Sequence, residues 1–464
     1  MRLAHPSDSL GGMPSRHRRA TTAAAIALLC ATAPALAAGS KAWHPQPFDR
    51  NLSADASHED GEPSIAVNPA NPKNMIVIYL RNNDMFVPNA AKGQPTVPSA
   101  NDAEQQIQGC DYAVTFDAGR TWTRKPLPAN DFSSNPVQNN CSDSIVVFDR
   151  RGTAYVMAAA YASFAFVADG QYRLISSRDG GRTWSKPATV APGMLGPGSH
   201  PQNYDGVRTY DDRPWLTIDP QTRALFIDGT QVRADGSGSG TVYLTGSTDG
   251  GTTWSDPIIV PAAYLGSAPL GAAFGTLALT VKPPSGEAGC ACLDFLTSTD
   301  NARTLRRIHT TIPADGGPQT VADPTHKGTF AVMTNPGNGD LLVYRTTDTG
   351  KTWHGPTHVG VQGSTPVKPW IAFSPSGQLG IGWRATRADG SYAFYVAASA
   401  NGGQSFYTTM RLSKVWSPAA PPFYVAGDDT STVTLTKDHL YAAWGDWRGK
   451  GLEDIWWGGL RLRS

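Results

Sequence analysis

The chain has 464 residues, with 39 Lys and Arg against 38 Asp and Glu, a formal charge of +1. Its 48 Gly, 36 Pro and 13 Trp are more than average usage, and only 17% of residues are charged. The Gly follows no three-residue period, which excludes collagen; a hydrophobic fraction of 40% with almost no net charge argues against disorder, and the balanced charge against a nucleic-acid partner.

The first segment reads as an export signal. Arg16, His17, Arg18 and Arg19 form a basic stretch, Thr21 to Pro34 is small and apolar, and Ala35-Leu36-Ala37 offers a cleavage site. Residues 1–37 are therefore expected to be a signal peptide and 38–464 a single domain, secreted or periplasmic, with no membrane span left after cleavage. Beyond Cys30, four cysteines remain. Cys110 and Cys141 are expected to form a disulfide, as suits an oxidising compartment. Cys290-Ala291-Cys292 is too close for a relaxed bridge, and no neighbouring His or Cys pair completes a zinc site. No metal and no cofactor are expected.

A repeat organises the rest. The pattern Ser/Thr-x-Asp-x-Gly-x-Thr-Trp occurs at Thr115–Trp122, Ser177–Trp184, Ser247–Trp254 and Thr346–Trp353. Ser298–Leu305 and Ser399–Phe406 are worn copies. Successive copies are spaced as four-stranded propeller blades with variable loops would be. The hydroxyl and carboxylate suit a hydrogen-bonded turn, the Gly suits a positive φ, and the Trp starts the next strand as a hydrophobic anchor. Acids spread round a ring cannot converge on one substrate, so these aspartates read as structural.

A second phrase precedes each copy: a polar pair, then an apolar alternating strand. It begins at Glu62-Pro63, Asp143-Ser144, Asp212-Arg213, Lys368-Pro369 and Asp428-Asp429, with weaker versions at Gly275–Val281 and Thr320–Asp323. That makes seven units. The seventh, from Asp428 to Leu462, has no turn motif, and its missing outer strand is expected from Trp43–Leu52.

The turn motif resembles the Asp-box, or BNR repeat, of the sialidase superfamily, over nearly all of the chain after residue 37. The resemblance implies an all-β β-propeller, with the boxes on the periphery away from the substrate face. Seven blades fit the units counted here; the six of known sialidases are the alternative. The resemblance also implies a carboxylate-binding arginine triad, a Tyr nucleophile assisted by Glu, and an Asp acid/base. The superfamily's Phe-Arg-Ile-Pro signature is not found; the corresponding region reads Glu62-Pro63-Ser64-Ile65.

The polar pairs are expected at a common axial mouth. Candidate catalytic residues are Asp143, Asp212, Asp446 and Tyr424. Candidate substrate-binding residues are Glu62, Arg213, Arg384, Arg448, Asp428 and Asp429. Arginine forks suit a carboxylate, and acid pairs suit glycosidic cleavage. The same residues also suit structural ion pairs at strand ends. Two functions follow from the sequence: an exo-hydrolase acting on an acidic sugar, or a non-catalytic propeller binding a glycan, glycoconjugate or protein.

Overall fold

The computed structural model describes residues 43, 45–54, 59–82, 108–129, 141–160, 171–190, 209–233, 241–261, 269–283, 290–420, 430–449 and 452–463. The expected signal peptide lies outside them. Among the described residues there are strands and turns but no helix, hence none long and apolar enough to cross a membrane.

β1 (Phe48–Asn51) comes first in the chain but belongs to the last blade. Blade one holds β2 (Glu59–Val67), β3 (Met75–Asn82), β4 (Gln108–Thr115) and β5 (Thr123–Pro126). Blade two holds β6 (Cys141–Phe148), β7 (Ala154–Ala160), β8 (Gln171–Ser177) and β9 (Ala188–Thr189). Blade three holds β10 (Thr209–Ile218), β11 (Leu225–Arg233), β12 (Thr241–Ser247) and β13 (Ile258–Ile259). Blade four holds β14 (Gly271–Ala273), β15 (Thr276–Val281), β16 (Cys292–Ser298) and β17 (Arg306–Pro313). Blade five holds β18 (Gln319–Ala322), β19 (Phe330–Thr334), β20 (Asp340–Thr346) and β21 (His354–Gly360). Blade six holds β22 (Thr365–Phe373), β23 (Leu379–Thr386), β24 (Tyr392–Ser399) and β25 (Thr408–Arg411). Blade seven is β26 (Ser431–Leu435), β27 (His439–Asp446) and β28 (Asp454–Arg461), completed by β1 as its outer strand.

All pairings are antiparallel, so the protein is a seven-bladed β-propeller, and the outer strand of the last blade comes from the expected Trp43–Leu52 stretch. Phe48 to Asn51 pair with Gly459 to Trp456, which joins the two ends of the chain in one sheet. Blade four differs from the sequence reading. Gly275–Val281 is not its inner strand but a turn residue followed by the second strand. Phe274 and Gly275, both at positive φ, turn the chain within two residues, so the short β14 pairs directly with β15.

Each blade buries its faces against its neighbours. Ile76 and Val114 of blade one meet Val146 and Val156 of blade two. The ring closes where Ile65, Val67 and Val77 meet Tyr441, Ala443 and Trp457. The repeated turn supplies a second contact of the same kind. Its Trp packs on the preceding blade: Trp122 on Trp457, Trp184 on Tyr112 and Trp353 on Phe295, with ring centroids 5.1, 5.6 and 5.1 Å apart.

The hydrogen bonds within the turn explain the motif's other positions. In the first copy the Thr115 hydroxyl donates to Asp117 Oδ1 (2.8 Å) and accepts from Gly119 N–H (3.0 Å). Asp117 accepts from the N–H and hydroxyl of Thr121 at 2.9 and 2.7 Å. Asp249 and Asp348 repeat this with Thr253 and Thr352. Asn401 takes the same place in the sixth copy, bonding Ser399 and Ser405. These bonds hold the carboxyls of Asp117, Asp249, Asp300 and Asp348 at about 2. At Asp117 the causes are the Thr121 N–H, then its hydroxyl, then the Thr115 hydroxyl.

Glycine at the fifth position answers to φ and to space together. Gly251 has a φ of 87°, and a Cβ there would lie 2.1 Å from Leu174 Cδ2 of blade two. Gly337 has a φ of 75° with nothing within 4 Å. Gly337→Ala is expected to cost about 1–2 kcal/mol for the left-handed conformation alone. Gly251→Ala is expected to add about 1–3 kcal/mol for overpacking the blade interface. Urea unfolding of both variants measures the difference, and equal losses would show that the turn does not seat against the preceding blade.

The aspartates also set an acid limit. Their folded-state values lie below the ~3.9 of an unfolded Asp, so their stabilisation is complete above about pH 4 and is lost as pH falls towards 2. Urea midpoints measured between pH 7 and pH 2.5 are expected to fall steeply below pH 4. Asp348→Asn is expected to flatten that fall, and an unchanged slope would remove the turn carboxylates as its cause.

Candidate functional site at the axial mouth

The inner strands begin at one end of the ring and carry a shared irregularity. The ladder between inner and second strand shifts register between Gly61 and Ser64, Ser142 and Ile145, Asp212 and Trp215, and Val367 and Trp370. The first residue of each shift is left-handed: Glu62 (φ 52°), Asp143 (45°), Arg213 (50°) and Lys368 (47°). In three of the four, Pro63, Pro214 and Pro369 follow, as fits bulges on an edge strand. A non-glycine residue in this region costs about 1–2 kcal/mol, and such residues persist only where their surroundings over-determine them. The sequence phrases that begin with polar pairs are these bulges.

The repeated turns lie at the other end. They follow the third strand of blades one to six, which runs parallel to the inner strand; in blade one Val67, Met75 and Thr115 align at the turn end, Glu59, Asn82 and Gln108 at the bulge end. None of the motif aspartates lines the central channel.

That channel encloses about 660 Å³, walled by the inner strands. Two residues beyond the bulges at Arg213 and Lys368, Trp215 of blade three and Trp370 of blade six meet with ring centroids 5.0 Å apart. These blades are not neighbours, so the tryptophans reach one another across the channel and give it an aromatic floor at its bulge end. Around them, side chains bridge the inner strands of adjacent blades. Ser64 Oγ accepts from Val146 N–H (3.1 Å), and Thr432 Oγ1 accepts from Ile65 N–H (2.8 Å). Ser431 Oγ donates to Lys368 O (2.6 Å), and Gln319 Nε2 donates to Pro369 O (2.6 Å). Glu62 Oε2 accepts from Asp143 N–H at 3.2 Å, joining the bulges of blades one and two.

Of the residues singled out from the sequence, Glu62, Asp143 and Arg213 stand at these bulges, with Lys368 as a fourth, and none of the four is among the residues that line the channel. Arg213 is exposed, and the other three are partly buried. Asp212 lies at the same bulge, its side chain outside the described residues. Tyr424, Asp428 and Asp429 lie outside the described residues.

Three others lie in buried surroundings. Arg384 is fully buried, and its Nη2 donates to Thr430 O at 2.6 Å. Arg448 Nη1 pairs with Asp49 Oδ2 of β1 at 2.6 Å, and its Nε lies 3.1 Å from Asp446 Oδ2. Its guanidinium also covers Trp456, 3.5 Å from the ring centroid. Asp446 is fully buried and also accepts from Ser417 Oγ, Trp444 Nε1 and Arg448 N–H. This network fastens β1 to the closing blade. Cys110 of β4 and Cys141 of β6 stand at disulfide distance, with Cα atoms 5.5 Å apart, and link blades one and two.

The sequence reading missed the tryptophan floor and the bridging Ser64, Gln319, Ser431 and Thr432. The tryptophans had a signal: Arg213-Pro214-Trp215 and Lys368-Pro369-Trp370 are the same phrase twice.

No family model and no curated protein matches the chain. Among solved structures it is similar to a protein of unknown function from Dyadobacter fermentans, with TM-score 0.51 and 14% identity over 90% of this chain and 98% of that one. That likeness is one of fold. It is also similar to the Hadza microbial sialidase Hz136, with TM-score 0.48 and 15% identity over 90% of this chain and 68% of that one. For a Trypanosoma rangeli sialidase the TM-score is 0.45 and the identity 13%, over 87% and 55%.

Removing Arg448 leaves Asp49 and Asp446 buried without their cation. Arg448→Ala is expected to cost about 3–5 kcal/mol, as breaking one side of a buried pair does. Chemical denaturation checks this, and a loss below about 1 kcal/mol would mean that the network does not hold β1 in place.

Proposed function

We propose that the axial mouth recognises an acidic carbohydrate and that the protein is a glycoside-acting enzyme, an exo-hydrolase on that sugar. The observation that carries this reading is the recurrence of one strained bulge in four inner strands, with two acids and two cations at its left-handed position. Backbone strain repeated around one rim is a cost, and such residues persist only where their surroundings over-determine them.

Each part has a role in this reading. Arg213 and Lys368 attract the sugar carboxylate from opposite sides, the guanidinium through two parallel hydrogen bonds. Trp215 and Trp370 offer apolar faces to the sugar ring. Asp143 and Glu62, on adjacent blades, serve as proton donor and base across the glycosidic bond. Asp212 precedes Arg213 in the same bulge. The resemblance of the turns to the Asp-box supports the choice of a glycoside. The basic, apolar leader of residues 1–37 would deliver the protein outside the cytoplasm, where such substrates occur.

One observation favours a second reading. Glu62 already accepts the Asp143 N–H, a use that secures the rim and leaves less of the carboxylate for proton transfer. In that case the mouth binds an acidic glycan without cleaving it.

The test is turnover and binding of sialosides and uronic-acid glycosides by wild type, Arg213→Lys and Asp143→Asn, with thermal melts as folding controls. The enzyme reading expects wild-type turnover, at least a ten-fold loss of kcat/KM in Arg213→Lys, and a larger kcat loss in Asp143→Asn. Binding without turnover selects the second reading. Neither binding nor turnover of any acidic glycan overturns both.

A further inference from the structure

A second cluster lies in blade four, on the third and outer strands. Cys292 opens β16 and is buried, while Cys290, two residues earlier, is exposed. The two sulfurs stand at disulfide distance, with Cα atoms 5.2 Å apart. His309 on β17 brings its Nε2 to 3.5 Å from Cys290 Sγ. One donor atom from each of Cys290, Cys292 and His309 lies within 4.8 Å of the others. The third member comes from the hairpin, because Asp294 of β16 and His309 of β17 are paired in the ladder.

The histidine is oriented from behind. Its Nδ1 lies 2.8 Å from Oδ1 of Asp294, a fully buried residue whose Oδ2 lies 2.6 Å from Arg307 Nε. A carboxylate held by an arginine only accepts, so the neutral imidazole is the tautomer with its proton on Nδ1 and its Nε2 lone pair toward the sulfurs. A histidine backed by a carboxylate and facing two thiols is the arrangement of a metal ligand. Two thiolates and an imidazole suit a soft cation such as Cu(I) or Zn(II).

We propose that Cys290 and Cys292 form a reversible disulfide, and that the reduced pair, with His309, binds one thiophilic metal ion. An external dithiol supplies two electrons and two protons, and itself becomes a disulfide. The S–S bond of Cys290 and Cys292 breaks to give two thiols. Metal binding then releases both thiol protons and forms two metal–sulfur bonds and one metal–nitrogen bond. Reoxidation by a disulfide acceptor, which takes two electrons from the thiolates and two protons from water and leaves as two thiols, remakes the S–S bond and expels the ion. Metal content thus reports the redox state of the surroundings, at a position on blade four remote from the axial residues.

The test uses the whole protein, reduced anaerobically with a mild dithiol, freed of reductant, and titrated with Zn(II) alone or Cu(I) alone against a chromophoric chelator. The reduced protein is expected to retain one equivalent of at least one ion, and the oxidised protein none. Retention of either ion shows that the reduced pair and His309 take a thiophilic cation. Cys290→Ser with Cys292→Ser is expected to abolish retention. Cys110→Ser with Cys141→Ser is expected to leave it unchanged. His309→Ala, at a half-exposed position that does not threaten folding, is expected to weaken it at least ten-fold. No retention by the reduced wild type, equal retention by the Cys290/Cys292 double variant, or an affinity unmoved by His309→Ala would each overturn the proposal.

Discussion

The ring depends on one contact, the seating of the repeated turn against the blade before it. Strands within a blade satisfy their own hydrogen bonds, but a four-stranded sheet has two apolar faces to cover, and only its neighbours can cover them. The turn fixes how close a neighbour comes. Its glycine N–H bonds to the first hydroxyl of the motif at 2.8–3.0 Å in the four complete copies. That bond holds the glycine at positive φ with its α-carbon against the preceding blade, and at Gly119, Gly181, Gly251 and Gly350 an added Cβ would come within 3 Å of a neighbouring side chain. The motif's acids are therefore committed to architecture, which is why a sequence with five such aspartates keeps them all out of the channel.

The bulge end follows a different rule. Round the axis the inner strands of adjacent blades are joined by side chains, not by a backbone ladder. Ser64, Gln319, Ser431, Thr432 and Glu62 supply those joints and satisfy backbone groups that would otherwise face the channel. Polar side chains gather at the mouth first because the backbone there needs partners. Chemistry toward a ligand is an addition to that requirement, and the left-handed φ at Glu62, Asp143, Arg213 and Lys368 is the part of the arrangement that the requirement alone does not explain.

Much of the fold was legible because its signals are local. A motif of eight residues carries its own turn, spacing and anchor, so six copies predicted six blades, and a seventh unit short of one strand predicted where the chain's beginning goes. Blade four was misplaced because a two-residue turn left its inner strand only three residues long, too short for alternation to show. The candidate residues were legible as strand-start positions but not in their burial. Arg213 and Arg448 look alike in sequence; what separates them is Asp49, some 400 residues away in the chain, which draws Arg448 into the closing blade. His309 was missed for the same reason in miniature, because Cys290-Ala291-Cys292 acquires an imidazole neighbour only through the register of a hairpin.

Closure and site are linked through strain. A left-handed bulge relaxes unless the strands on either side are fixed, and an open ring would let them move. Here β1 closes the last blade with a four-residue ladder and with Asp49, which Arg448 and the Lys414 N–H hold from two directions. The closed ring fixes all seven inner strands relative to one another, so the bulges cannot relax singly. A ligand of the kind proposed would meet a mouth already shaped, with little of the binding free energy lost to ordering it. In the proposed reading, recognition would rest on matching four charges and one aromatic floor at fixed positions, which favours discrimination by shape and charge sign over accommodation.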